Sequence, residues 1–491
     1  MTVGSMFLAI LPQMGILVLA GLILALDLIM SEKKHGVLGW ITVIGLTLVI
    51  ILDLSIVMPN LTATLGQGES QLIFGNMLRV DAVGIVFTIL FVVGGIITVL
   101  FGMEDENLGK KGEFYFLLLV SIFGMTLMAS SANLIMLYLA IETTAIPLYI
   151  LAGFLVHDNK SVESGIKYLL FGALTSAIML FGFVMLYGFT GTTQLYELSS
   201  AIKTAGLSSF SLISTVIMVL VGFGFKISIF PFHFWAPDVY EGAPSAISGF
   251  LSTASKAAGF AVLMRVMVVV FPDIFSSWSL ILAVLAVISM FFGNFLALSQ
   301  KNIKRLLAYS SIAHAGNILI GLIVADQSKF GLTGAVYYLI AYLFTNLAAF
   351  GIIAIVSKNL GSDEISAYAG LSRKSPGLAL ALLITLLSLG GIPPFAGFIG
   401  KFLVFTAAID AGYLWLAIVG IINSILALYY YLTVLKVVYL YRSEDEEKTI
   451  TLNNNWRLAL IICSVGILVV GVVISPWLSF ANQASLAFLG G

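Results

Sequence analysis

The chain has 491 residues, 60% hydrophobic and 10% charged, with a mean hydropathy of +1.10 and a formal net charge of −1. Soluble domains average about 25% charged residues, so this is a polytopic membrane protein with no basic face for nucleic acid. A lone Cys463 and four histidines without HxxxH or HExxH spacing exclude a disulfide framework and an iron–sulfur cluster. No cofactor or metal site is expected in the chain.

At about 20 apolar residues per crossing, fourteen spans are predicted: 5–30, 36–58, 79–101, 114–130, 132–156, 162–190, 208–236, 244–271, 278–299, 303–325, 329–357, 377–410, 412–441 and 456–480. No positive segment precedes the first apolar run, whose first charge is Asp27, so it reads as a retained span and not a cleaved signal peptide. The fourth and fifth spans nearly touch at SSAN (130–133), which requires a very short link.

The loops then give the orientation. Of the 23 Lys and Arg, the odd-numbered loops and their flanks hold Lys33, Lys34, Lys110, Lys111, Lys160, Lys301, Lys304, Arg305, Lys358, Arg373, Lys374, Arg442, Lys448 and Arg457. The even side holds Arg79, Lys203 and Lys329. The positive-inside rule makes the odd loops cytoplasmic and both termini non-cytoplasmic.

Several ionisable residues sit inside these spans. A charge at the bilayer centre costs roughly 2.5–3.5 kcal/mol on the lenient insertion scale, and such groups mark ion or proton pathways by default. Glu142 is mid-span with Pro147 five residues on. It is a proton carrier, a partner charge for Lys226 or Lys167, or a structural ion pair. Lys226 lies five residues before Pro231, where a helix break frees backbone carbonyls. A lysine snorkelling to the interface is the alternative. Lys256 is central in its span, beside Ser248, Ser252, Ser255 and Gly259, small residues that leave room for close helices or water. His314 is mid-span and suits a proton relay, although a lone histidine is often a satisfied core residue. Lys401 follows a second break at Pro393 and Pro394 by seven residues. Lys167, near the start of its span, is open to snorkelling. Arg265, Lys436, Asp27, Asp53 and Asp410 stand nearer span ends and read as interface anchors or local pairs, while His233 and Asp238 flank the first break. Glu142, Lys226, Lys256, His314 and Lys401 thus form a mid-membrane series of titratable groups, and one acid among several bases argues against an oxygen-ligated sodium site. The residues point to proton translocation.

The chain also repeats. GIKYLLFGALTSAIMLFG (165–182) aligns without gaps on GAVYYLIAYLFTNLAAFG (334–351), matching at Gly165/Gly334, Tyr168/Tyr337, Leu170/Leu339, Leu174/Leu343, Phe181/Phe350 and Gly182/Gly351. The next span in each half holds a proline break, at 229–237 and near 391–398. Paired interrupted spans point to a transport site. Five spans separate the copies, so an all-α fold with two inverted five-helix repeats is expected: 1–105 as three N-terminal helices, 106–275 and 276–442 as the repeats, and 443–491 as a C-terminal transmembrane helix.

FPFHFWAPDVYEGAPSAISGFLSTASKAAG (230–259) resembles the signature of the antiporter-like subunits of respiratory complex I. SVESGIKYLLFGALTSAIMLFGFVMLYG (161–188) and SLGGIPPFAGFIGK (388–401) resemble the N-type most. Lys401 where the M-type usually has glutamate, Lys167, and no long lateral helix after the fourteenth span agree with that type. The resemblance implies that Glu142 pairs with Lys226, that Lys256 and His314 lie on a central axis, and that Lys401 serves the broken twelfth helix. It further implies NADH, FMN, iron–sulfur clusters and quinone in other subunits of a translocase of the bacterial inner or equivalent membrane. Its partners would be neighbouring antiporter-like and small K/J/A-type subunits, with lipids around them. A multisubunit sodium/proton antiporter, a related donor:quinone oxidoreductase or membrane-bound hydrogenase, and a passive scaffold are the alternatives.

Overall fold

A backbone in hydrocarbon must satisfy its own polar groups, which leaves helices as the element for a chain this apolar. The computed structural model describes residues 3–30, 36–59, 70–442 and 450–490. Lys33, Lys34 and Lys448, three of the cations that assign the orientation, lie outside the described residues.

The first membrane helices are α1 (Leu11–Ile29), α2 (Gly36–Val57), α3 (Ala82–Gly102), α4 (Gly112–Ser130), α5 (Leu134–Ala152) and α6 (Asn159–Thr190). A broken pair, α7 (Ser209–Ile227) and α8 (Trp235–Gly242), follows. Next come α9 (Ser245–Val270), α10 (Pro272–Leu298), α11 (Ile303–Ile323) and α12 (Gly331–Leu360). A second broken pair is α13 (Pro376–Gly390) and α14 (Ala396–Asp410), before α15 (Leu414–Leu440), α16 (Asn454–Val472) and α17 (Ile474–Leu489). Among the described residues, thirteen helices are long and apolar enough to cross a membrane. The twelfth expected span is the α13/α14 pair, 15 residues each.

Local chemistry sets the helix starts. Asp81, Asn133, Asp158, Ser208 and Asn302 each accept a first-turn backbone N–H through a side-chain oxygen, satisfying donors a helix leaves free. Asn133 also donates to Thr193 Oγ1 and holds the link between α4 and α5, which is as short as SSAN required. Helices α3, α9, α11 and α12 are almost wholly buried, so they form the centre. Helices α1, α2, α6, α10, α15 and α16 present apolar side chains such as Val18, Leu170, Leu280 and Tyr429 outward.

Four features differ from the sequence reading. A short hairpin of β1 (Gln71–Ile73) and β2 (Leu78–Val80) precedes α3. The first break is residues 228–234, because Pro237 stands in the first turn of α8, where no intrahelical donor is needed. The final span is two helices, parted at Val473 (φ −95°, ψ 72°) three residues before Pro476. Lastly, α9 contains a π turn at Leu251–Ser255 immediately before Lys256; such bulges re-aim side chains and recur at functional sites.

Candidate functional site

The two breaks share one hydrogen-bonding pattern. At the first, Ser228 adopts φ +59°, its N–H donates to Phe225 O (3.0 Å), and Ile229 N–H reaches back to Gly224 O (3.0 Å). At the second, Gly391 adopts φ +82°, its N–H donates to Ser388 O (3.0 Å), and Ile392 N–H reaches Leu387 O (3.0 Å). These are left-handed helix caps that reclaim carbonyls left free at a helix end. Both breaks contain a cis peptide, Phe230–Pro231 and Pro393–Pro394.

The carbonyls freed by the breaks are not shared as the sequence suggested. Lys226 Nζ is buried with no hydrogen-bond partner, because Phe225 O is already taken by Ser228 N and by Trp235 Nε1 at 3.1 Å. At the second break it is Lys401 that reaches back, donating to Leu389 O (2.9 Å) and Gly390 O (3.2 Å). Gly397 makes this approach possible, since a Cβ there would meet Ser388 O at 2.0 Å.

Glu142 and Lys226 line one small cavity, with about 20 Å³ of room for water, together with Tyr149, Thr175 and Ser176, but form no ion pair within 4 Å among the described residues. Glu142 instead accepts a short hydrogen bond from Ser176 Oγ. The Lys226 side chain then passes over α9 at Gly259, where a Cβ would meet Lys226 Cγ at 2.9 Å. Gly259 stands three residues after Lys256, on the same helix face. Lys256 Nζ donates to Ser311 O and Ser311 Oγ, both at 3.0 Å. One turn along α11, His314 Nδ1 meets Tyr338 Oη at 2.7 Å and Nε2 meets Tyr431 Oη at 3.2 Å. Tyr431 is bonded to Ser310, while the buried Tyr240 and Tyr342 hydroxyls face Ser311 nearby. Lys226, Lys256, His314 and Lys401 are between 1% and 7% exposed. Groups that can give and take protons therefore follow one another through the bundle's interior.

Lys167 stands apart from this series. It pairs with Glu163 (2.6 Å) and Asp238 (2.5 Å), so it is not the partner of Glu142. Arg305 bridges Asp238 (2.8 Å) and Glu241 (2.9 Å), and Lys160 bonds Glu241 (2.8 Å), so α6 and α11 clamp α8. His233 is buried among Phe230, Phe234 and Phe292, with Nδ1 unpartnered. Arg265 forms a buried two-pronged pair with Asp81 (2.7 and 3.1 Å) and also donates to Tyr196 Oη and Ala129 O. Asp27 accepts from Gly112 N. Asp53 does not follow the local-pair reading, since it is 2% exposed with Oδ2 unpartnered. Sequence reasoning missed Ser176, Ser311, Tyr338 and Tyr431. Hydroxyls raise no energetic alarm in an apolar span, so only their spatial neighbours single them out.

Residues 131–427 match the family described as NADH:quinone oxidoreductase/Mrp antiporter, TM. The NADH-quinone oxidoreductase subunit N of Trichlorobacter lovleyi is 40% identical, covering 97% of this chain and 96% of that protein. Its counterpart from Moorella thermoacetica is 41% identical over 95% of each. A chain of respiratory complex I from Thermus thermophilus superposes with a TM-score of 0.79 at 33% identity, covering 95% of this chain and 98% of that one.

Proposed function

We propose a route for protons from the premise that this chain belongs to the NADH:quinone oxidoreductase/Mrp antiporter membrane-subunit family. The chain is a proton-translocating membrane-arm subunit of an NADH:quinone oxidoreductase, working beside the other subunits of that complex. Protons enter the series near Lys226, pass to Lys256 and His314, and reach Lys401. Glu142 is the modulating charge: moving it toward or away from Lys226 changes how tightly that lysine holds its proton. Quinone reduction elsewhere in the complex supplies the displacement, and NADH, FMN and iron–sulfur clusters belong to other subunits. Lys167 positions α8 and does not carry protons itself. Residues 106–275 and 276–442 act as two inverted repeats, supported by the matching caps, with both termini on the non-cytoplasmic side.

The observation that carries this reading is the closeness of Lys226 to α9 at Gly259, one turn from Lys256. It brings the first break against the helix face that carries the central lysine. The test is Glu142→Ala and Lys226→Ala in the assembled complex, measuring quinone reduction and acidification of proteoliposomes. Both should fall in each variant. Full pumping by both variants, with assembly intact, refutes the route.

A further inference from the structure

The unpartnered Asp53 belongs to a second polar cavity, separate from the Glu142–Lys401 series. It has about 20 Å³ of room for water and is lined by Gln13 of α1, Asp53 in the π turn that ends α2, Arg79 and Asp81 before α3, Thr88 of α3 and Ser130 of α4. Gln13 Oε1, Asp53 Oδ2 and Thr88 Oγ1 are all buried without a hydrogen-bond partner, and each residue is at least nine-tenths buried. Three orphaned oxygens converging on one space make a site that wants bridging water, and the space is large enough to hold it.

Charge balance selects the occupant. Arg79 pairs with Asp81 (3.3 Å), and Asp81 pairs with Arg265 (2.7 Å), leaving two cations against one anion. An ionised Asp53 closes that count, and a protonated one leaves the cluster at +1. A metal cation here would add charge beside Arg79, so water and a mobile proton fit better. The position matters as well. Arg265 lies nine residues along α9 from Lys256, roughly 13.5 Å at 1.5 Å per residue, toward the end that the loop charges assign to the non-cytoplasmic side.

We propose that Asp53 is a proton-exchanging carboxyl in a hydrated pocket, through which protons from the mid-membrane series pass to the non-cytoplasmic side. The inference rests on the proton route above and gives it an exit that leaves the series at Lys256. Asp53 Oδ2 takes a proton from a protonated water in the pocket, leaving neutral water, and then yields it to water outside. Gln13 and Thr88 hold the water, while Arg79 and Asp81 set the field around the carboxyl.

The test uses the assembled complex in proteoliposomes. Asp53→Asn should lower the protons released per quinone reduced and remove one protonated-carboxyl band from the pH-difference infrared spectrum. Asp53→Glu keeps the carboxyl and should restore both. Gln13→Leu dries the pocket but leaves the acid, so release should slow while the band remains. An Asp53→Asn complex that assembles and pumps at the wild-type ratio overturns the exit, even where Glu142 and Lys226 variants abolish pumping. Should Asp53→Asn not assemble, Gln13→Leu decides: unchanged release overturns the proposal, and slowed release supports it.

Discussion

Lys256→Met separates a proton carrier from a structural charge. The substitution keeps the length and apolar volume of the side chain but removes an ammonium that is 1% exposed. It deletes two hydrogen bonds of 3.0 Å to Ser311, each worth about 1.5–3 kcal/mol for a charged donor. It also relieves the burial of a charge, an effective penalty of several kcal/mol. Ser311 O keeps its place in the α11 hydrogen-bond ladder, so no carbonyl is orphaned. The two contributions nearly cancel, and thermal stability should move by no more than about 2 kcal/mol. Function should not be spared, because a positioned acid–base group contributes roughly 100-fold or more to a proton transfer. The assay is acidification of proteoliposomes per quinone reduced, with the melting temperature of the purified complex measured alongside. A Lys256→Met complex that is assembled and pumps at the wild-type ratio refutes the reasoning and favours a passive scaffold.

Three further outcomes are expected. Arg265→Met takes from buried Asp81 its two-pronged partner and leaves it Arg79 at 3.3 Å, and should cost about 3 kcal/mol, read as loss of assembled complex; Arg265→Lys, which keeps the charge, should recover part of it. Gly397→Ala drives a methyl into Ser388 O, 2.0 Å away, and should cost about 1–3 kcal/mol while loosening the Lys401 contacts, so pumping should fall without loss of the lysine; unchanged pumping would contradict the tight second break. Arg305→Gln unclamps α8 from α11, but its partners are part-exposed, so the loss should stay near 1 kcal/mol and shrink at high salt; a salt-independent effect would show that the network acts through packing.

What the sequence made legible were the features that hydrocarbon makes costly. Glu142, Lys226, Lys256, His314 and Lys401 stand out because an ion in an apolar run is an energetic anomaly, and the breaks stand out because proline lacks a donor. The fourteen spans follow from length and hydropathy. The partners of these charges were hidden. Lys401 bonds backbone carbonyls, which every sequence contains, and His314 bonds Tyr338 and Tyr431, which read as ordinary core. The π turn before Lys256 leaves no composition signal, since LSTAS contains neither proline nor glycine. Lys167 was ambiguous because its depth in the span says nothing about Asp238, 71 residues away. Asp53 was misjudged from its distance to a span end, because α1, α3 and the hairpin close over it.

The two breaks also hold their lysines in different geometries. Aligned on their caps, Ser228 with Gly391 and Ile229 with Ile392, the frames put Leu389 opposite Lys226 and Asp238 opposite Lys401. The halves have thus placed their cation on opposite sides of the same break. Lys401 comes after its break and reaches back to the negative end of the α13 dipole, where two carbonyls hold it in one geometry. Lys226 comes before its break, where the backbone and Trp235 have already filled the cap, so its ammonium is left without a hydrogen-bond partner in the cavity it shares with Glu142. A fixed cation suits the receiving end of a relay, where occupancy must be well defined. An unpartnered one suits the end that answers a moving charge. The asymmetry between the two breaks, more than the presence of a lysine beside each, is what gives the proposed relay a direction.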